Sequence, residues 1–487
     1  MVVLDSSIAN VSIPAISGDI GVSASQGTWV ITSFAVSNGI AVPLTGWLTQ
    51  RFGAVRLFCL SAVFFVVFSW LCGLAPTIES LIAFRVLQGA VAGPLIPLSQ
   101  TLLLSSYPKE QEGVALAAWS LTTLIAPVAG PLLGGWITDN ISWPWIFYIN
   151  IPVGLLAVYF AWSIYHRRET PTRKVPIDKV GLALLVVWIG ALQIMLDKGK
   201  ELDWFESREI TALAIVTLVG FVFFLIWELT DEHPVVDLRL FARANFAFGT
   251  LTLAIAYGLF FASIVILPLW LQTQMGYTAT DAGYVLAPVG FLALLLTPLV
   301  GRGVGRIDPR YIATTAFLLF ALIGFMRAQF NAQVDMRTLI IPTIIQGAAI
   351  ACFFIPLVTI TLAGLPPHKI ASATGLSNFA RITAGAFGTS IATTLWESRA
   401  AMHHAHLTES ISAGGTAAAQ ALANLRGMGL DEAQSLAMLN RLIDVQAFVL
   451  SADDIFYGSS IVFLLLVPLL WATHPRRARA AAAAGAH

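Results

Sequence analysis

Charge is what this chain has least of. Lys, Arg, Asp and Glu make up 11% of its 487 residues, and the 27 basic and 27 acidic side chains cancel. Soluble domains carry roughly 25% charged residues, so an ordinary water-facing surface is excluded. The cancelled charge gives no sign of a nucleic-acid partner. Cysteine is nearly absent as well: Cys59, Cys72 and Cys352 all fall in apolar runs, so neither a disulfide framework nor a zinc site is expected. No spacing offers a nucleophile with a base, a phosphate-cradling loop or a cleavable signal, so no enzyme, cofactor or metal is expected. The apolar segments do not alternate with polar residues, which excludes a membrane-spanning β-barrel.

What fills the chain is hydrocarbon. Hydrophobic residues make up 57% of it and the mean hydropathy is +0.79. Apolar segments recur with short polar joints, each near the roughly 20 residues a helix needs to cross a bilayer core. An all-α polytopic membrane protein with fourteen transmembrane helices is predicted. A first six-helix bundle covers 1–166, an inserted helix pair 179–229, and five helices of a second bundle 244–397. An amphipathic insertion (398–453), a last crossing (454–473) and a tail (474–487) complete the chain. Lys and Arg crowd the joints on one side (Arg51, Arg56, Arg167, Arg168, Arg306, Arg310) and are sparse on the other (Lys198, Arg208). That bias puts both termini in the cytoplasm.

The two bundles are repeats of one another. Gly21-Val-Ser-Ala-Ser-Gln26 returns as Gly276-Tyr-Thr-Ala-Thr-Asp281, and Pro43-Leu-Thr-Gly46 returns as Pro298-Leu-Val-Gly301, both displaced by 255 residues. Gln88-Gly89 with Ile96-Pro97-Leu98 returns as Gln346-Gly347 with Ile355-Pro356-Leu357. Parallel halves about an axis along the membrane normal are an architecture of secondary transporters.

Polar groups inside apolar runs mark the candidate sites. A carboxylate in hydrocarbon costs roughly 2.5–3.5 kcal/mol on insertion scales, and such residues tend to be functional. Asp5, in the run from Met1 to Ile16, is either a proton site or a polar cap near a membrane face. Arg85 lies in the fourth span at a depth within side-chain reach of Asp5; it either pairs with that carboxylate or snorkels. Its counterpart in the second half is Thr343. Arg381, with Asn378 one turn earlier, either meets a polar group of a ligand or makes structural hydrogen bonds. Asn10, Trp29, Gln88, Trp119, Tyr257 and Phe261 are further candidates for a cavity lining. In the fifth span, Ala126, Gly130 and Gly134 share one face that lets a neighbouring helix come close, and Pro127 and Pro131 loosen its backbone; a gate or a plain packing face would use both. After the second span, Gly46 and Gly53 permit tight turns beside Arg51 and Arg56. The polar stretch 398–453 reads as an outer amphipathic hairpin, broken at Gly427-Met-Gly429, or as a surface loop. His403, His404 and His406 within it read as solvated.

These motifs together resemble the major facilitator superfamily, and within it the fourteen-spanner drug:proton antiporters. The residues that carry the resemblance are Leu4-Asp5 to Pro14, Gly46 to Arg56, Arg85-Val-Leu-Gln88-Gly89, Ala126-Pro127 to Gly135 and Trp143 to Pro152. The resemblance implies proton-driven export of hydrophobic drugs across a bacterial inner membrane by alternating access. Asp5 and Arg85 would couple the protons, and Gly46, Arg51, Gly53, Pro127, Gly130, Pro131 and Gly134 would pack or gate the helices. It also implies a three-part pump, with a periplasmic membrane-fusion adaptor and an outer-membrane channel as partners beside the lipid bilayer. Transport of one specific metabolite, or a docking role for the adaptor, are the alternatives. The family pattern has an acid at position 50, where this chain has Gln50, and it carries the first-span acid deeper in its helix, which suggests a native start about 20 residues earlier.

Overall fold

The structure is a computed structural model. It describes all residues except 23, 28, 109–110, 112–114, 117, 120–125, 127–128, 131–132, 139, 174–175, 177, 200–201, 233, 278, 305, 413–415 and 475–487. The described residues are helical, with no strand. The main helices are α1 (Val2–Ile20), α2 (Trp29–Ala41), α3 (Thr45–Phe52), α4 (Ala54–Gly73), α5 (Ile78–Ala92), α6 (Leu95–Leu104) and α7 (Asn150–Tyr165). After them come α8 (Lys179–Lys198), α9 (Arg208–Thr230), α10 (Ala244–Thr273), α11 (Val289–Val304), α12 (Pro309–Arg327), α13 (Met336–Ala351) and α14 (Phe354–Leu362). The last three are α15 (Pro367–Ser412), α16 (Thr416–Gly427) and α17 (Glu432–Trp471).

Ten of the described helices are long and apolar enough to cross a membrane, or eleven if α2 and α3, bent by 62°, count as one span. Of the other three expected crossings, α1 and α15 form helices outside that set, and 112–137 lies largely outside the described residues. Local sequence explains the ends. Thr77 and Ser80 cap α5 reciprocally, Asp178 accepts from the backbone N–H groups of Val180 and Gly181 at the start of α8, and Gly21 ends α1 with φ 77°. Large apolar side chains such as Leu218, Phe223 and Leu295 stay more than half exposed, as a hydrocarbon solvent allows.

The inserted pair is not peripheral on both sides. Gly39 of α2 lies beside the Gln193 side chain of α8, Trp188 of α8 meets Phe379 of α15 edge-on at 5.9 Å, and Ser390 donates to the Leu196 carbonyl at 3.1 Å. The α8 helix therefore contacts both halves, while α9 lies outside it. The insertion after 398 is built from the ends of two helices: α15 runs 46 residues and α17 runs 40, both longer than one crossing needs. Their extended parts are joined by contacts of His403 Nε2 with Asp454 Oδ2 at 2.9 Å and of His404 Nε2 with Asp444 Oδ1 at 3.4 Å, so these two histidines meet carboxylates rather than being merely solvated.

Asp178 also accepts from Trp227 Nε1 at 2.9 Å, which ties α8 to α9. Asp178→Ala is expected to cost about 1–2 kcal/mol, a typical cap loss. Thermal melting of the purified protein in detergent checks this, and an unchanged midpoint would contradict it.

Candidate functional site

The first site grows out of the first bundle. The α1 helix places Asp5 against α5, and the α5 register puts Arg85 and Gln88 one turn apart on the face that meets it. Arg85 Nη1 donates to Asp5 Oδ2 at 2.6 Å, and both side chains are 0% exposed. The same nitrogen donates to Gln88 Oε1 at 2.7 Å, and Arg85 Nε donates to the Val30 carbonyl at 2.9 Å. Asp5 Oδ1 accepts from Asn150 Nδ2 at 2.6 Å and from Gln88 Nε2 at 3.3 Å. Asn150 also donates to Ser69 Oγ at 3.0 Å, and Ser69 donates to the Phe147 carbonyl at 2.9 Å. The guanidinium sits 4.2 Å from the Phe34 ring and 5.5 Å from that of Phe147.

A buried pair of this kind is a weak source of net stability but costs about 3–5 kcal/mol to break from one side, because the other charge is left without compensation. Helix packing fixes the geometry. A Cβ on Gly89 would lie 2.5 Å from the Phe34 carbonyl, so glycine there lets α5 sit on α2. At Gly130 and Gly134 a Cβ would meet Ser7 at 2.4 Å and the Ile8 carbonyl at 3.0 Å. The small-residue face of the fifth span thus packs on α1 beside Asp5. Pro127 and Pro131 lie outside the described residues.

The second site lies between the halves. Arg381 of α15 donates from Nη2 to Asn378 Oδ1 at 2.8 Å, and Asn378 Nδ2 donates to Gln100 Oε1 of α6 at 3.0 Å. The guanidinium is faced by Tyr257 at 4.6 Å, Phe354 at 5.6 Å and Trp119 at 5.9 Å. Its Nη1 is buried without a hydrogen-bond partner, and Arg381 borders a cavity also lined by Gln100, Trp119, Ser377 and Asn378. The free space there admits about one water-sized group, so this conformation is closed to larger ligands.

Of the residues predicted for the cavity, Trp119, Asn378 and Arg381 line it, and Tyr257 backs Arg381 with the Phe261 ring tilted against it at 4.6 Å. Gln88 belongs to the carboxylate cluster instead, and Trp29 faces the Lys198 ammonium at 5.6 Å. The side chain of Asn10 lies outside what is described. Not foreseen from the sequence were Asn150 as a partner of Asp5, Ser69 as the acceptor for Asn150, and Gln100 as the bridge between halves. All three are polar groups within apolar helices, the signal that had singled out Asp5.

The loop motif after the second span also resolves. A Cβ on Gly46 would lie 2.8 Å from Ser372 Cα, so this glycine lets α3 touch α15 of the other half. Gly53 has φ 87°. Where its Cβ would stand is the Glu169 carboxylate, which accepts from the Val55 and Arg56 N–H groups at 3.1 and 2.9 Å. Glu169, from the joint after α7, thus caps α4 in the favourable sense of the helix dipole. Arg51 lies over the Trp47 ring at 5.7 Å.

The family model described as "Major Facilitator Superfamily" matches residues 1–389. The chain belongs to this superfamily. It is 49% identical to the multidrug export protein EmrB of Escherichia coli strain K12, over all of this chain and 95% of that one. It is 47% identical to the fatty acid resistance protein FarB of Neisseria gonorrhoeae, over 98% and 94% of the two chains. Among solved structures, the superfamily proton:xylose symporter XylE superposes with a TM-score of 0.58 over 98% of this chain and 95% of its own, at 13% identity. That likeness shows the superfamily fold.

Arg85→Ala is expected to destabilise by about 3–5 kcal/mol, and Arg85→Ala combined with Asp5→Asn by less than the sum of the two single changes. Denaturation of the four proteins in one detergent measures the coupling. Additive losses would mean that the pair does not interact.

Proposed function

We propose that this superfamily member is a proton-driven antiporter that exports hydrophobic or amphiphilic compounds from a bacterial cytoplasm by alternating access. The observation that carries the reading is the fully buried Asp5 carboxylate, held by one cation and two amides. A carboxylate in such a place has two states: ionised with Arg85 attached, or protonated with Arg85 left to its neutral acceptors. In the protonated form the Arg85 contact loses its ionic part while Gln88 and the Val30 carbonyl still accept from the guanidinium. Each proton bound or lost therefore changes what holds α1 to α5.

The substrate is assigned to the cavity between the halves. Its aromatic walls suit a flat apolar body, and Arg381 Nη1 offers a donor to an acceptor on that body. The compounds in the names of EmrB and FarB, drugs and fatty acids, fit that description. Arg85 and Gln88 on α5 and Gln100 on α6 lie in one apolar stretch, Ile78–Leu104, so a shift of that span would be felt at both sites. Ligand and proton drive the cycle only through different affinities for its two facings. The extended ends of α15 and α17 with α16 are assigned to the periplasmic side, where they receive the adaptor of a three-part pump.

Asp5→Asn is expected to leave the protein folded and inserted but to abolish drug-dependent proton movement in liposomes containing the purified chain. Undiminished coupled exchange in that variant would sink the proposal.

A further inference from the structure

The second bundle holds a buried guanidinium of its own. Arg327, the last residue of α12, is 1% exposed. Its Nη2 donates to Gln346 Oε1 at 2.7 Å and to Thr343 Oγ1 at 3.4 Å, both on α13, and the Phe456 ring lies 5.8 Å away. Gln346 and Thr343 are the repeat counterparts of Gln88 and Arg85. A guanidinium therefore sits beside the repeated glutamine in both halves, delivered from α5 in one and from α12 in the other.

The compensation differs between the halves. In the first half the partner is Asp5, and the 255-residue offset that carries Gly21 to Gly276 carries position 5 to Phe260. Among the described residues no carboxylate pairs with Arg327; Asp453, three residues before Phe456 on α17, makes no ion pair with it. Its Nε is buried with no hydrogen-bond partner. It borders a cavity lined by Phe260, Ser263, Phe320, Gln346, Phe456 and Ser459, with space for about one water-sized group. A full positive charge at this depth, satisfied only by neutral acceptors, is a costly arrangement that a small anion relieves.

We infer that this pocket binds one compact monovalent anion of the halide class, held by Arg327 Nε and the hydroxyls of Ser263 and Ser459, in the place that Asp5 fills in the first half. The donor set is one cation and two hydroxyls, which suits an acceptor without directional lone pairs. The small space rules out the head of a tailed amphiphile. The three donors belong to α10, α12 and α17, so the anion ties three helices of the second bundle together, and Arg327 joins α13 to them through Gln346. It leaves that bundle with a fixed charge balance where the first has a titratable one.

The test uses the purified full-length chain. Its melting midpoint is measured in sodium chloride, sodium bromide and sodium gluconate at matched ionic strength. A saturable rise in chloride and bromide over gluconate is expected for the wild type, and no difference among the salts for Arg327→Gln. Phe260→Asp keeps Arg327 but supplies a built-in carboxylate, so it is expected to lose the halide dependence as well. In crystals of the wild type soaked in bromide, an anomalous peak is expected in contact with the Arg327 guanidinium. Equal midpoints in halide and gluconate for the wild type would overturn the inference, as would a halide effect unchanged in both variants or a pocket occupied by water only.

Discussion

A charge cannot be left alone in hydrocarbon, and the rest of this molecule is arranged around that constraint. Asp5 and Arg85 meet at 2.6 Å with no solvent contact. The helices around them are shaped to let them meet: α2 gives the Val30 carbonyl and the Phe34 ring, α7 gives Asn150, and α4 gives Ser69, which holds Asn150. Gly89, Gly130 and Gly134 remove the Cβ atoms that would hold those helices apart. The pair is thus a register mark for the first bundle as well as a candidate for coupling, and one piece of geometry serves both.

The halves are joined by a different kind of contact. Among the described residues these contacts include the polar bridge Asn378–Gln100, the close backbone approach Gly46–Ser372 and an apolar cluster of Leu116 with Val304, Ile355 and Val358. Contacts of this type separate at modest cost, which suits a machine whose halves must rock. The stronger, buried networks stay within each half. Arg381, with one unsatisfied nitrogen and three aromatic rings around it, sits on the seam, where a ligand would be felt by both sides.

Much of this was readable from the residues. Apolar run length alone gives a helical membrane fold. The depth of Asp5 and Arg85 along their own helices was enough to bring them within reach, because a straight helix converts residue number into distance. Side-chain partners from other helices were not readable in this way. Asn150 opens α7 far away in sequence, and Glu169 caps α4 from the joint after α7, since only the tertiary fold says which helix ends adjoin. Arg327 escaped notice for a similar reason. Aligning the halves by position pairs Arg85 with Thr343, and the structure reaches the same spot with an arginine from a neighbouring helix.

The central claim is that Asp5 exchanges its proton in response to the compound transported. Proton release from the detergent-purified chain in weakly buffered solution, read with a pH dye as an amphiphilic drug is added, tests it most directly. Release on binding by the wild type and none by Asp5→Asn, with drug binding retained in both, is the predicted result. Equal release from the two proteins, or binding by the wild type without any proton change at any pH, would contradict the claim.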